Sequence, residues 1–248
     1  MKPVLPQLIS IYTEIMEAQG LLVNLRTTSM FGVLMLCSSH SSSVRKLEYF
    51  KTNMVPAYMK MLSEIHGTSL EEWCEELNDE IISKNDISLS TEEHLGQLTL
   101  ELTNKFMLPA FIPSIQQYLT SSQVEHQHAG LVAMALLTEG CHESFKSELS
   151  NVMAMITPLM NSNDPRVMHD ILMAMGYFAE EFAPELQQNY GDMILQFVIK
   201  ALQFPALKTQ FKAVQCLQNF EKEMGKHKEV RVMEKYLPAI MQELARIF

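Results

Sequence analysis

The chain has 248 residues, of which 47% are hydrophobic and 19% are charged, and its formal net charge at pH 7 is −10. Its nine glycines are too widely spaced to form a glycine-rich nucleotide-binding loop. The acidic balance argues against a nucleic-acid groove, which needs clustered Lys and Arg. No apolar run reaches the roughly 20 residues that span a bilayer. The sequence has no CxxC pair, and its dispersed cysteines indicate the reduced thiols of a cytosolic or nuclear protein: Cys37, Cys74, Cys141 and Cys216.

The amino-terminal third is predicted to hold a helix pair and a third helix, followed by an acidic insertion. Apolar periodicity places these helices over 3–16, 25–37 and 49–62. Between residues 64 and 93 the sequence carries ten acids and one base, which accounts for nearly all of the net charge. We expect this segment to separate a first helix from a second helix that starts near Ser90, with Ser90 and Glu93 as a capping box.

The acidic insertion contains the chain's only tryptophan, Trp73. A short amphipathic helix is predicted from Leu70 to Ile82, because Leu70, Trp73, Leu77 and Ile81 share one helical face. A charge run is usually a solvated loop. An exposed tryptophan is nevertheless costly without a partner, which favours contact with a basic partner. The residues assigned to this contact are Glu71, Glu72, Trp73, Glu75, Glu76, Asp79 and Glu80.

The remainder of the chain is repetitive. Apolar helical segments close at Leu119, Met160, Leu202 and Leu244, with spacings of 41, 42 and 42 residues. The first three are each followed by a short polar turn and a second helix. In the second turn, the Asn/Ser/Asp run at 161–164 offers an N-cap, and Pro165 suits the first helical turn.

The second helices superpose at constant offsets, with a small residue at one position in all three: Ala133, Ala174 and Cys216. A period of 40 to 47 residues with two helices per repeat is typical of HEAT and armadillo arrays. The predicted fold class is therefore all-α, a right-handed α-α superhelix or solenoid of such repeats. The alternative is an ordinary helical bundle whose spacing coincides by chance. The predicted repeats are 1–48, 49–106 with the insertion at 64–93, 107–147, 148–188, 189–231 and a partial repeat at 232–248.

One family carries a similar set of motifs. The stretch EHQHAGLVAMALLTEGCH, Glu125 to His142, resembles a second helix of the importin-β (karyopherin-β) superfamily, closest to its importin-five or Ran-binding-protein-five branch. Further similar segments are Leu108-Pro109, Asn163 to Val167, Phe182 to Pro184, Lys235 to Pro238 and the acidic run around Trp73. The chain departs from the family at the HEAT arginine, replaced by Gln127, Met168 and Gln210. Family members are about four times longer, so we expect a central segment of such a protein, as a fragment or a shortened paralogue.

The resemblance implies protein binding in nuclear import, without catalysis and without a cofactor. Basic nuclear-localisation signals of cargo proteins would bind an acidic concave face, the Ran GTPase would regulate release, and nucleoporins are further expected partners. The acidic insertion would mimic cargo or contact a basic partner. The protein would shuttle between cytoplasm and nucleus, with no nucleic acid bound and no membrane insertion. The rival hypothesis is a HEAT-repeat scaffold of a multi-protein complex.

Candidate cargo-binding residues lie at the carboxyl ends of the second helices. Glu139, Glu181 and Glu223 recur at 42-residue steps, whereas the helical register of 41 for the first step selects Glu180. Acids at helix ends can simply be solvated, but carboxyl termini disfavour acids electrostatically, which favours a binding role. The full set is Glu139, Glu180, Glu181, Asn219, Glu221 and Glu223. No metal or catalytic constellation is predicted, since His126 and His128 point to different helix faces and Cys141-His142 has no third orienting group.

Overall fold

The computed structural model describes residues 4–65, 69–75, 86–227 and 231–247. Across these ranges the chain is helical and has no β-strand. A π-helical turn, Phe50–Met54, leads into α3, and a 3-10 turn, Thr157–Asn161, follows α8. No helix in the described ranges is long and apolar enough to cross a membrane. The helices are α1 (Leu5–Glu17), α2 (Val23–Val44), α3 (Val55–Leu62), α4 (Leu70–Glu75), α5 (Ile87–Glu101), α6 (Asn104–Leu119), α7 (Val124–Gly140), α8 (His142–Ile156), α9 (Pro165–Glu181), α10 (Glu185–Gln203), α11 (Leu207–His227) and α12 (Arg231–Ile247).

The chain divides into two compact units. Unit 1 comprises Met1–Gly67 and Asn78–Ser150, and unit 2 comprises Thr68–Leu77 and Asn151–Phe248. In unit 1 the first helices α1, α3 and α6 contact one another in turn, as do the second helices α2, α5 and α7. In unit 2, α9 packs on α11, α10 packs on α11 and α12, and α4 packs on α11. Each unit thus buries the apolar faces of consecutive helix pairs against one another, as stacked repeats do.

Local sequence signals explain several helix starts. Asp164 caps α9, accepting a hydrogen bond from the Arg166 backbone N–H at 2.9 Å, and Pro165 occupies the first turn, as predicted. The predicted start near Ser90 is wrong. Helix α5 begins at Ile87, because the Asp86 carboxylate accepts hydrogen bonds from the backbone N–H groups of Ser88 and Leu89. Ser90 therefore lies inside the helix and does not cap it.

The short helix α4 begins with a capping box that the sequence reading missed. The Ser69 backbone N–H donates to Glu72 Oε2 at 3.0 Å, and the Glu72 backbone N–H donates to Ser69 Oγ at 3.2 Å. This reciprocal pair satisfies two of the free donors at the helix start. The predicted helix over 70–82 is observed over Leu70–Glu75, and its continuation through Leu77 and Ile81 lies outside the described residues.

A buried arginine links the first helix pair to Glu64, the first residue of the acidic insertion. Arg26, the fourth residue of α2, donates to the Met16 carbonyl at 2.6 Å and to both oxygens of Glu64 at 2.7 and 2.9 Å. At the equivalent fourth position, Gln127 of α7 and Gln210 of α11 donate to backbone carbonyls of the turn just before their own helix. Glu64 is therefore a structural ion-pair partner, although it belongs to the acidic cluster in sequence.

Candidate protein-binding site

The carboxyl ends of α9 and α11 carry acidic and amide side chains at or near the surface. Glu180 and Glu181 on α9 and Asn219 on α11 are half-buried, and Glu221 is exposed. We call these four residues the acidic end. Lys222 Nζ lies 3.1 Å from Glu180 Oε1, and the Asn219 amide donates to the Gly176 carbonyl at 3.5 Å. A basic ligand at Glu180 would therefore compete with Lys222.

The observed helix starts settle which positions are equivalent. Helices α7, α9 and α11 begin at residues 124, 165 and 207, so Glu139, Glu180 and Lys222 occupy the same helical position. Glu139 is exposed at the end of α7 in unit 1. The third position of the expected row of carboxylates is therefore occupied by a lysine, Lys222.

Glu223 does not present its carboxylate to solvent, contrary to its expected role in a ligand-binding row. It is only 6% exposed. Glu223 follows Cys216 and Phe220 by seven and three residues, so helical periodicity places it on the same face as these buried side chains. The simple 42-residue step missed this because it counts residues without fixing which helix face is buried.

The amino-terminal ends of the same two helices are basic. Arg166 and His169 on α9, with Lys208 and Lys212 on α11, form what we call the basic end. Asp164 beside it is paired with the Arg166 guanidinium at 2.8 Å. His169 Nδ1 lies 3.0 Å from Asp170 Oδ1.

Helix α4 lies on the basic end. The Trp73 ring packs against the His169 ring with centroids 5.6 Å apart and ring planes at 84°. Lys208 Nζ lies 5.1 Å from the Trp73 ring centroid, in the range where a cation–π contact contributes about 0.5–1 kcal/mol at an exposed site. Trp73 is half-buried by these contacts, whereas Glu71, Glu72 and Glu75 are exposed. Glu76, Asp79 and Glu80, assigned to the same contact, lie outside the described residues.

The electrostatics of this contact follow from its composition. Burial lowers the pKa of His169, the charges of Lys212 and Lys208 lower it further, and the hydrogen bond to Asp170 offsets part of the effect. Burial raises the pKa of the Cys74 thiol, and Asp164 adds to the rise. Burial opposes ionisation of Asp164, but hydrogen bonds and charge from Arg166 outweigh it and leave the pKa of Asp164 below its usual value.

The described residues near these surfaces form no metal-binding cluster. Among the described residues there is no group of three or more His, Cys, Asp or Glu side chains that could hold a metal ion. Burial raises the pKa of Cys141 to about 11 and that of Cys37 and Cys216 to about 12, so these thiols stay protonated at neutral pH.

Known proteins that resemble this chain in sequence and in fold are importin β subunits and Kap121p. No family model matches the chain. Importin subunit beta-3 of Saccharomyces cerevisiae is 22% identical over 247 residues, which are 98% of this chain and 22% of that protein. Probable importin subunit beta-4 of Schizosaccharomyces pombe is 23% identical over 200 residues, 79% of this chain and 18% of that protein. The crystal structure of Kap121p superposes with a TM-score of 0.89 at 21% identity, covering 98% of this chain and 24% of that one. The resemblance to the importin-β superfamily is thereby confirmed.

This importin-β-like chain spans about a fifth of the length of the curated relatives it matches. The likeness to Kap121p also confirms the predicted fold class, an all-α solenoid of HEAT-type repeats. Kap121p has been crystallised bound to Pho4p and bound to RanGTP, and both structures superpose on this chain with a TM-score of 0.87.

Sequence reasoning located the acidic end and missed the basic one. Lys208 and Lys212 stand four residues apart on α11 and therefore share one helix face, a spacing from which a basic surface could have been predicted. His169 was not assigned because nothing in its local sequence shows that a residue almost one hundred positions earlier packs against it.

Proposed function

We propose that this chain is a protein-binding HEAT-repeat segment of a nuclear import receptor, and that it recognises basic nuclear-localisation signals through an acidic concave face. The observation that carries the proposal is the match over 98% of the chain to Kap121p, including its complexes with Pho4p and RanGTP. The segment acts without catalysis. We propose basic cargo proteins, the Ran GTPase and nucleoporins as partners of the whole receptor, which shuttles between cytoplasm and nucleus.

The acidic end supports the charge of the proposed ligand. Helix macrodipoles favour cations at carboxyl termini, so Glu180 and Glu181, the last two residues of α9, are not explained by the helix dipole. Each exposed carboxylate–lysine pair with a cargo peptide contributes about 0.2–1 kcal/mol. Affinity would therefore depend on several acids acting together, and Glu139, Glu180, Glu181 and Glu221 are the carboxylates that we assign to the ligand.

A peptide titration tests this proposal. A fluorescein-labelled lysine-rich nuclear-localisation peptide is titrated with the native chain and with the E139K/E180K/E181K variant, at low and at physiological salt. We expect the variant to lose about tenfold or more in affinity, equivalent to roughly 1.4 kcal/mol. E143K/E148K/E234K is the matched control, because it makes the same change in net charge at three exposed acids, two on α8 and one on α12. Equal affinity of the native chain and the triple variant would refute the acidic face.

A structural scaffold without transport activity is the alternative. It is favoured by the repeat architecture itself, because stacked helix pairs present extended surfaces that bind other proteins. A pulldown with Ran loaded with GTP, compared with Ran loaded with GDP, separates the two functions. Nucleotide-dependent capture supports a transport receptor. Indifference to both forms, with stable co-purification of one partner, supports a scaffold.

A further inference from the structure

Helix α4 is fixed to unit 2 by a small contact. Of its described residues, Trp73 and Cys74 are half-buried, and the other side chains are exposed. A helix of six residues is far below the length that is stable alone in water. The capping box at Ser69 and Glu72 and the packing of Trp73 therefore hold the helix, and none of these three residues belongs to the buried core.

The surface under Trp73 is opposite in charge to the segment. In sequence, Glu71 and Glu72 precede Trp73 and Glu75 follows it. The surface supplies the His169 ring against the Trp73 ring, the Lys208 ammonium near that ring and the Lys212 charge beside His169. The two acids beside this surface are engaged, Asp164 with Arg166 and Asp170 with His169.

We propose that the basic end is a second binding site, specific for an acidic peptide that carries an aromatic residue, and that Ser69–Glu75 is its tethered and exchangeable occupant. An acidic aromatic segment of a partner protein enters when α4 leaves. This site is distinct from the acidic end: it takes the opposite charge, lies at the other end of α9 and α11, and does not depend on cargo binding.

Tethering defines the expected competition. A short tether gives its segment an effective concentration in the millimolar range. A peptide in trans must therefore outcompete α4 in the native chain, but meets a vacated surface when the tryptophan anchor is removed. The Trp73→Ala chain should bind the acidic aromatic peptide about tenfold more tightly than the native chain does.

The native chain supplies a direct optical test, because Trp73 is its only tryptophan. We expect the emission of the native chain to shift to longer wavelength as salt rises from low to high concentration, because charge contacts at a partly exposed site are screened. K208E should show the shifted emission at low salt already. K46E, at an exposed lysine in unit 1, should behave as the native chain does. Identical emission of the native chain and K208E at low salt would overturn the proposal.

Binding in trans is measured by fluorescence anisotropy with a fluorescein-labelled synthetic peptide of residues 64–80. The expected order of affinity is Trp73→Ala above native, with K208E and H169A showing no binding, and with a peptide lacking the tryptophan showing none to any chain. Absence of peptide binding to a folded Trp73→Ala chain, or equal binding to K208E, would overturn the site. Circular dichroism checks folding, and the emission test on the native chain and K208E does not require the Trp73→Ala variant. Failure here leaves the lysine-rich peptide assay unaffected, since that assay depends on the acidic end.

Discussion

The two ends of the α9 and α11 pair differ in charge and in occupancy. At the amino-terminal ends, His169 and Lys208 contact Trp73 of the chain's own acidic segment. At the carboxyl ends, Glu180 and Glu181 are partly accessible and Glu221 is exposed. Cations at helix amino termini and anions at carboxyl termini are both opposed by the macrodipole. The macrodipole acts within the first and last turns, where it opposes Arg166 and Lys208 at the amino termini and Glu180 and Glu181 at the end of α9. The contacts that these side chains make therefore have to offset an unfavourable helix position.

The largest effect is expected from the core that joins the two ends. Phe220 is fully buried in α11, and F220A should lower the free energy of unfolding by about 3–5 kcal/mol. Urea unfolding followed by circular dichroism and by Trp73 emission measures it. Because α4 packs on α11, both signals should shift to lower urea together. F211A is the control, since Phe211 on the same helix is 53% exposed and should cost less than about 1 kcal/mol. A comparable loss in both variants would contradict the assigned core face of α11.

A smaller effect is expected from the helix cap beside the basic end. D164A removes the acceptor for the Arg166 backbone N–H and the partner of the Arg166 guanidinium. The loss of an N-cap should cost about 1 kcal/mol of stability in urea unfolding. Binding of the lysine-rich peptide should stay within about twofold, because Asp164 lies at the opposite end of α9. A larger loss of binding would show that the two ends are not independent.

At the acidic end, removal of the competing lysine should have an effect of about twofold. K222Q breaks the ion pair with Glu180, whose nitrogen–oxygen distance is 3.1 Å. An exposed pair contributes about 0.2–1 kcal/mol, so the lysine-rich peptide should bind about twofold more tightly to K222Q in an anisotropy titration. Weaker binding to K222Q would remove Glu180 from the proposed ligand contacts.

The smallest effect is a pH dependence at the basic end. The pKa of His169 is lowered in the folded chain, so folding favours the neutral ring. The stabilisation is present above the unfolded pKa of about 6.5 and is lost as pH falls below it towards the folded pKa. Urea unfolding at pH 7 and pH 5 should show a smaller decrease in stability for H169Q than for the native chain, in which Asp170, Lys208 and Lys212 surround the ring. An equal decrease in both would exclude His169 as the cause.

Periodicity and turn chemistry account for what was predictable from the sequence. Helix boundaries near residues 119, 165 and 202 follow from polar turns and from Asp164 with Pro165. The small residues Ala133, Ala174 and Cys216 are all buried, as expected for closely packed helix pairs. Each of these signals acts within a single turn or helix pair, so it can be recognised without knowing contacts between distant residues.

The parts that were not predictable depend on contacts between distant residues. Asp86 was counted as part of a charge cluster, yet it caps α5. Glu64 was counted there too, yet it pairs with Arg26, thirty-eight residues earlier in the chain. Glu223 matched a numerical repeat, yet it lies on the buried face of α11. In each case the sequence identified an acidic residue but could not show its surroundings in the fold.

A single peptide titration shows which end of the α9 and α11 pair binds the basic ligand. The lysine-rich peptide is titrated by anisotropy against the native chain, E180K/E181K and K208E at physiological salt. We expect about tenfold weaker binding to E180K/E181K and binding within about twofold of native for K208E. Equal loss in both variants, or no loss in either, would contradict the claim that the basic ligand contacts the acidic end and not the basic end.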